Sequence, residues 1–287
     1  MHEYHVRLFE YADYIRDTEI ASIEICDEGV IVTYRGSGVR LFCDQDDRRI
    51  TPIETLNFGS YEQVEARLFF HIVGEGKTFV DIGANVGWYS LTAARRFPHL
   101  TIHAFEPIPR TFGYLTRNIV LNRANSVKAY NFGLSERDET VTFFYSPEGS
   151  GNASARDLSG TPSVTKIPAR VRRLDDVVVQ EGLRIDTIKC DVEGAELFVF
   201  RGALETFKTQ RPAIFTEMLR KWSARFDYHP NEIISLLRGL GYLCFTVRND
   251  GLAEFTVMDD STTETNFIFL HPATHEGHIR RLRAGAG

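Results

Sequence analysis

The chain has 287 residues, 43% of them hydrophobic and 25% charged, which is typical of a folded globular protein and excludes a mainly disordered chain. Its formal net charge of −6 gives no general attraction to nucleic-acid phosphates or to anionic lipid. No segment approaches the ~20 consecutive apolar residues of a transmembrane helix. We therefore expect no nucleic-acid partner and no insertion into a membrane.

Residues 22–43 alternate apolar and polar side chains in three short runs separated by glycine turns. This pattern predicts a small antiparallel meander. We assign residues 1–56 to this N-terminal β appendage, whose exposed edge could provide a contact in a homo-oligomer. Ser60 is typical of an N-cap and predicts a helix that runs to Val73.

From residue 78 onward, apolar strand-like runs alternate with amphipathic helical runs, which predicts an α/β domain with a mostly parallel sheet and helices on both faces. The predicted strands lie at 78–82, 101–106, 126–132, 140–145, 186–191, 213–218, 242–247, 252–257 and 266–270. The predicted helices lie at 87–96, 109–122, 195–207 and 230–239. The last three strands follow one another without a helix, which predicts an antiparallel end of the sheet.

The segment from Pro147 to Pro168 is rich in Gly, Ser, Thr and Pro and predicts a mobile functional loop, such as a lid. We place the main domain at 57–275 and a flexible tail at 276–287. The histidines near this tail are interpreted as solvated, not as metal ligands: His271, His275 and His278. The four cysteines are far apart and follow no secretory segment, which favours reduced thiols in a cytoplasmic protein.

The strongest motif is an apolar strand that enters a glycine turn and opens a helix: Phe79-Val80-Asp81-Ile82-Gly83-Ala84-Asn85-Val86-Gly87. Glycines there let a ligand approach the backbone, and the helix start offers free amides to an anion. A second strand ends in Glu106-Pro107, roughly 20 residues beyond the turn, where such sheets hold ribose hydroxyls. Glu106 is therefore our candidate ribose ligand, although Asp81 could merely tie its loop and Glu106 could merely cap the next helix.

The spacing also bears on the kind of nucleotide. A dinucleotide fingerprint needs Gly-x-Gly-x-x-Gly, whereas this turn has two glycines, Gly83 and Gly87, with Asn85 between them. A pyrophosphate fits poorly, and Asp81 suits a ligand that carries an ammonium, as a methionine moiety does. An NAD- or nucleotide-sugar-dependent oxidoreductase is the alternative enzyme. A non-catalytic module that binds the donor is the alternative without turnover.

Four segments together resemble the FkbM family of class I methyltransferases: Asp81 to Gly87, Phe105-Glu106-Pro107, Asn118 to Asn122, and Ile188 to Glu196. The resemblance spans about residues 60 to 270. It implies a Rossmann-like methyltransferase sheet of seven strands, S-adenosylmethionine as donor and S-adenosylhomocysteine as product. It further implies a small-molecule or carbohydrate acceptor, commonly methylated at oxygen: a sugar, a glycan or a secondary metabolite.

The resemblance also implies roles for individual residues. Asp81 is expected near the methionine end of the donor, Glu106 at the ribose and Asp191 beside the reaction centre. The donor-binding candidates are Asp81, Gly83, Ala84, Asn85, Gly87, Glu106, Pro107, Asn131 and Asp191.

Two later strands also end in carboxylates, at Asp191 and Glu193 and at Glu217. O-methylation needs a base for the hydroxyl proton, and the catalytic candidates are Asp191, Glu217 and His229. Glu193 could instead sit favourably at a helix start, and His229 could cap a helix or pack against a tryptophan. The candidate acceptor contacts are Glu193, Arg220, Lys221, Trp222 and Tyr228, for which ordinary surface packing is the alternative. The three carboxylates could hold Mg²⁺, but nothing in their spacing demands it, and we predict no metal.

Overall fold

The computed structural model describes residues 2–74, 76–146, 148–149, 153–158 and 164–283. Its N-terminal part consists of α1 (Glu3–Tyr14), β1 (Ile20–Cys26), β2 (Gly29–Tyr34), β3 (Arg40–Phe42), α2 (Thr51–Phe58) and α3 (Gln63–Val73). The three strands form the predicted antiparallel meander in the order β1-β2-β3. Two asparagines of the main domain hold β3 in place, because the side-chain oxygens of Asn118 and Asn122 accept the amides of Phe42 at 3.0 Å and Arg40 at 2.8 Å.

Two features of this region differ from the sequence-based expectation. Helix α2 forms where the sequence predicted no element, and Pro52 near its start suits the first helical turn. Helix α3 begins at Gln63 instead of just after Ser60, because the chain turns at Glu62, whose φ of 44° is left-handed. These differences matter because α2 and Glu62 both reach the site described below.

The main domain begins with β4 (Thr78–Ile82), α4 (Trp88–Arg96), β5 (Thr101–Phe105), α5 (Pro109–Leu121), β6 (Val127–Tyr130), β7 (Gly133–Leu134), β8 (Glu139–Tyr145) and β9 (Thr165–Arg172). It continues with α6 (Leu174–Glu181), β10 (Thr187–Cys190), α7 (Glu196–Arg201), α8 (Leu204–Gln210), β11 (Ala213–Glu217), α9 (Arg220–Ser223) and α10 (Asn231–Gly239). The last elements are β12 (Leu243–Arg248), β13 (Gly251–Phe255), β14 (Asn266–Leu270) and α11 (Pro272–Leu282).

Eight of these strands form one sheet in the order β13-β12-β14-β11-β10-β4-β5-β6. The five strands from β11 to β6 are parallel, and β14, β12 and β13 pair antiparallel, as the helix-free spacing of the last strands predicted. Seven strands make up the expected class I methyltransferase sheet, and β13 adds an eighth at its edge. The order reverses at β4, which lies between β5 and β10, and open α/β sheets bind ligands at such a switch point.

Side chains on the two faces of the sheet belong to two separate cores, because successive residues of a strand point to opposite sides. On β4, Phe79 packs against Phe69 of α3, which also contacts Phe215 of β11, whereas Val80 belongs to the core on the other face. Asp81 follows Phe79 by two residues and therefore lies on the α3 side. The carboxyl of Asp81 thus lies at the end of an otherwise apolar layer of side chains.

The single helix predicted at 195–207 is two helices, α7 and α8. The helix is interrupted at Gly202. A Cβ at this position would lie 2.1 Å from the backbone oxygen of Ser135, so only glycine allows this close approach. Asp175 then accepts the amide of Thr206 at 2.9 Å in the first turn of α8. The sequence motif was correct about the helix start at 195 but did not reveal this contact.

Two expectations for the later chain need correction or restriction. The tail predicted from 276 onward is partly helical, since α11 continues to Leu282 and buries His275 and His278, which are therefore not solvated. Residues 284–287 lie outside the described part. Much of the predicted loop at 147–168 also lies outside it, except that Ser154 pairs with Phe144 of β8 and Thr165 already belongs to β9.

None of the helices in the described part of the chain is long and apolar enough to cross a membrane. All four cysteines are free thiols, which agrees with the expected reduced state. The resulting architecture is a Rossmann-like α/β sheet with a small β appendage on one side.

Candidate active site

The glycine turn after β4 is shaped by backbone contacts that allow no other residue. Gly83 has a φ of 77°, and a Cβ at this position would lie 1.9 Å from the backbone oxygen of Asp191. The amides of Gly83 and Ala84 both donate to the backbone oxygen of Phe105, each at 3.0 Å. The turn is thereby clamped between the ends of β5 and β10. Gly83, Ala84 and Asn85 line a cavity at this edge of the sheet.

Gly87 has a different role from the one the sequence suggested. Its φ is 93°, and a Cβ would lie 2.6 Å from the Cδ1 atom of Leu115. It is not among the residues that line the cavity in the described part of the chain. Gly87 therefore lets α4 start close to α5, and its effect on a ligand is indirect.

Glu106 is buried at the end of β5 and points into the turn. Its two carboxyl oxygens accept the amides of Asn85 at 3.1 Å and Ile108 at 2.9 Å. Burial raises the pKa of Glu106 to about 7, although these two hydrogen bonds favour the anion. Pro107 lines the cavity beside it, whereas Asn131 donates its amide to the backbone oxygens of Glu106 at 3.0 Å and Pro107 at 3.2 Å. Asn131 thus braces the turn from behind.

Asp81 lies deeper in the same cavity with no solvent exposure. Its Oδ2 accepts the hydroxyl of Ser90 at 2.6 Å, while Oδ1 has no hydrogen-bond partner among the described residues. Burial raises the pKa of Asp81, and the nearby ammonium of Lys189 opposes this effect. A buried oxygen without a partner is costly and is characteristic of functional positions.

Three carboxylates meet where β10 and β11 end. One oxygen from each of Asp191, Glu193 and Glu217 lies within 4.8 Å of the others. Burial and then the neighbouring Asp191 raise the pKa of Glu217 to about 10, and the same two causes raise the pKa of Glu193 well above its usual value. Glu217 therefore holds its proton at neutral pH in the free protein. The three oxygens are close enough to hold a hard cation such as Mg²⁺.

The structure adds residues that sequence reasoning did not single out. Lys189, on β10, is 5% exposed and donates to Asp191 at 3.1 Å. Its ammonium lies 4.9 Å from the ring centre of Tyr89, whose hydroxyl donates to Glu62. A lysine between Ile188 and Cys190 in an apolar strand was a visible signal, because lysine is rarely buried without a partner.

The N-terminal elements cover the cavity. Arg49, Thr51 and Glu54 line it from the start of α2 and the preceding loop, and Phe143 of β8 and Ala153 also line it. The Ser154 hydroxyl donates to the backbone oxygen of Glu193 at 2.8 Å. The described part of the predicted lid segment therefore contacts the acidic end of the cavity.

Several predicted site residues lie elsewhere. His229 is exposed, and its Nδ1 accepts the amide of Asn231 at 3.2 Å, so it contacts the start of α10 and is not placed as a base. Arg220 donates to Asp260 at 2.6 Å, and the Lys221 ammonium lies 4.1 Å from the ring centre of its neighbour Trp222. None of these four belongs to the described lining of the cavity.

Tyr228 is also not placed as an acceptor contact. It is buried, and its hydroxyl donates to the backbone oxygen of Gly194 at 2.9 Å and to Glu196 at 3.3 Å. Glu196 in turn accepts the amides of Val192 at 3.0 Å and Gly194 at 3.1 Å. Tyr228 and Glu196 together hold the loop that carries Asp191 and Glu193. Of the predicted acceptor contacts, only Glu193 lines the cavity.

The sequence from 81 to 244, which contains the Gly83 turn, Glu106 and the acidic cluster, matches the model of the methyltransferase FkbM domain. The chain belongs to the FkbM methyltransferase domain family. The family match begins at Asp81 and includes both β10 and β11, so it spans the Gly83 turn and the acidic cluster of this FkbM-family chain.

Three relatives are similar over parts of their length. Methyltransferase 1 from Beauveria bassiana is 33% identical over 141 residues, which cover 43% of this chain and 57% of the relative. Methyltransferase sdnD from Sordaria araneosa is 36% identical over 157 residues, or 44% and 60% of the two chains. The 2-O-methyltransferase NoeI from Sinorhizobium fredii is 33% identical over 157 residues, or 48% and 61%. The matched regions thus span about three fifths of these relatives.

Proposed function

We propose that this FkbM-family chain is an S-adenosylmethionine-dependent methyltransferase whose acceptor is a hydroxyl of a sugar, glycan or secondary metabolite. The observation that carries the proposal is the meeting of the Gly83 turn, Glu106 and Asp191 at the ends of three neighbouring parallel strands. The similarity to a protein named as a 2-O-methyltransferase supports oxygen as the acceptor atom.

The residues present fit such a donor. Gly83, Ala84 and Asn85 line the cavity, and the absence of a side chain at Gly83 lets this turn lie against the backbone of Asp191. Asp81 carries a buried oxygen with no partner in the described part of the protein, which suits the donor's ammonium. Glu106 presents a carboxyl on the next strand, in the position that holds ribose hydroxyls in related sheets. S-adenosylmethionine supplies an electrophilic methyl group on a sulfonium.

The acidic end of the cavity suits proton transfer from an acceptor hydroxyl. Asp191 pairs with the ammonium of Lys189 and is the candidate base, because Glu217 holds its own proton at neutral pH. Most of the rate enhancement is expected from holding the two reactants in line within the cavity.

The proposal is tested first by titration calorimetry of the purified chain with S-adenosylmethionine, S-adenosylhomocysteine and NAD. Micromolar binding of the first two without NAD binding is the expected result. Glu139→Gln, which changes an exposed strand residue away from the cavity, is a matched control for variants of cavity carboxyls. Binding of NAD alone would support the oxidoreductase alternative.

The second step is transfer of a labelled methyl group to a panel of hydroxylated sugars and secondary metabolites. Turnover that requires Asp191 would support the assignment of the base. Donor binding without turnover on any acceptor would favour a non-catalytic donor-binding module.

A further inference from the structure

Lys189 is the buried cation of a strongly acidic cavity. Among the described residues that line the cavity, the acidic ones are Glu54, Glu62, Asp81, Glu106, Asp191, Glu193 and Glu217, and the basic ones are Lys189 and Arg49. Arg49 is exposed, whereas Lys189 is 5% exposed. A buried ammonium is unfavourable unless anions surround it. Its contacts therefore identify the carboxyls with which it interacts.

The groups that face Lys189 come from every element packed around it. Asp191 follows on its own strand, and Asp81 is its partner in register on β4. Glu62 and the ring of Tyr89 approach from the α3 and α4 side, and Tyr89 donates its hydroxyl to Glu62. On the remaining side, Glu193 and Glu217 meet Asp191 but make no direct contact with Lys189 among the described hydrogen bonds and ion pairs.

These contacts divide the carboxyls of the cavity into two kinds. Asp191 accepts a hydrogen bond from the ammonium at 3.1 Å and forms an ion pair with it. Glu193 and Glu217 lie beside Asp191, and burial together with the charge of Asp191 raises their pKa values. Burial alone would lower the pKa of Lys189, but Asp191, Asp81 and Glu62 raise it, so the ammonium stays charged.

We propose that Lys189 is a positioning residue that acts through Asp191: its ammonium fixes this carboxylate as the anion that faces the donor and the acceptor. Lys189 is held over Tyr89 and next to Asp81, so it also sets where the Asp191 side chain points. Without this ammonium, the carboxyls around it would share a proton, and Asp191 would lose its distinct role. The proposal rests on the proposed function only for the identity of the donor.

The test measures proton exchange during binding of S-adenosylmethionine. Calorimetry in buffers of different ionisation enthalpy gives the number of protons released for each donor bound. In Lys189→Met a carboxyl near position 189 should carry a proton in the free protein, and the cationic donor should expel it. We expect about one more proton released than in the wild type near pH 7.

Two control variants isolate the position of the charge. Lys189→Arg keeps the cation and should restore wild-type proton release. Lys128→Met removes an exposed lysine that pairs with Glu181 outside the cavity, so it changes the net charge equally but should leave proton release unchanged. Equal proton release by the wild type and a folded Lys189→Met would overturn the proposal, and so would an equal change in Lys128→Met.

A second measurement needs no donor, so it can be made even if Lys189→Met is too unstable for binding experiments. The thermal stability that Lys189→Met loses relative to the wild type should be larger near pH 8 than near pH 6, because protonation compensates the missing cation only at the lower pH. A loss independent of pH would mean that Lys189 only packs, and would overturn the proposal. If the wild type binds neither S-adenosylmethionine nor S-adenosylhomocysteine, the proposed function fails, while this pH-dependent result still decides the role of Lys189.

Discussion

The two ends of the cavity are built in different ways. The donor end consists of one glycine turn and the neighbouring Glu106, both held by main-chain hydrogen bonds within a short stretch of sequence. The acidic end combines Asp191, Glu217 and Glu62 from three separate parts of the chain, and Lys189 pairs with Asp191. Backbone shape therefore governs the proposed donor end, whereas side-chain charge governs the acidic end. The variants below test this difference.

Gly83→Ala is expected to have the largest effect. A Cβ would lie 1.9 Å from the Asp191 backbone oxygen, and the φ of 77° adds strain. We expect a loss of about 3 kcal/mol or more in the free energy of unfolding, with loss of donor binding. Denaturant unfolding and calorimetry check both.

Gly182→Ala is the matched control for this loss. Gly182 has a similar φ of 64°, but nothing lies within 4 Å of its added Cβ. Gly182→Ala should lower the free energy of unfolding by only about 1 kcal/mol. If the two variants were equally stable, the close approach at Gly83 would not be what shapes the turn.

Asp191→Asn should act mainly on the chemical step. An amide cannot accept the acceptor's proton, so the rate of methyl transfer should fall by roughly 10²- to 10⁴-fold. Single-turnover transfer of a labelled methyl group checks the rate. Glu139→Gln should transfer at the wild-type rate, and an unchanged rate in Asp191→Asn would remove this residue as the base.

Glu106→Gln should weaken the donor end without changing the acidic end. An amide presents an NH₂ group to the amides of Asn85 and Ile108 and disturbs the ribose contact. We expect donor affinity to fall by about 1.5–3 kcal/mol, equally for S-adenosylmethionine and S-adenosylhomocysteine, because both carry the ribose. A loss confined to the sulfonium compound, measured by calorimetry, would contradict the ribose role.

The acidic end predicts a pH dependence that the donor end alone would not produce. Burial and the neighbouring Asp191 raise the pKa of Glu217 to about 10, so this group holds a proton that a cationic ligand must displace. The affinity for S-adenosylmethionine should therefore rise with pH between about 6 and 9. If binding releases one proton, the affinity should rise by up to about tenfold for each pH unit. The neutral S-adenosylhomocysteine should show a smaller rise, and equal slopes for the two compounds would contradict a charge-governed end.

The smallest effects are expected at the residues that the sequence assigned to the acceptor but the structure places elsewhere. Arg220→Ala removes an ion pair with the exposed Asp260 and should change stability by less than about 1 kcal/mol. His229→Ala removes an exposed hydrogen bond to the amide of Asn231 and should change stability by a similarly small amount. Both variants should transfer methyl groups at nearly the wild-type rate, and a large loss of transfer rate in either would return that residue to the acceptor site.

The sequence predicted most of the strands and helices because their patterns are local. Alternation gave the meander and the parallel sheet, and the helix-free spacing gave its antiparallel end. It did not predict the break at Gly202, α2 or the helical tail, because each depends on a contact with a distant part of the chain. At Gly202 that contact is with Ser135.

The sequence by itself determined the donor end, because Gly83 and Glu106 stand in a fixed relation to the ends of two adjacent strands. Only the tertiary structure decided the acidic end. It brought Glu62 and Lys189 close to Asp191. It also placed Tyr228 against the loop that carries Asp191, and His229 at the start of α10, where both make structural contacts. The physical reason is that strand order carries a motif to one edge of a sheet, whereas burial and the charge of neighbours exist only once separate segments have packed together.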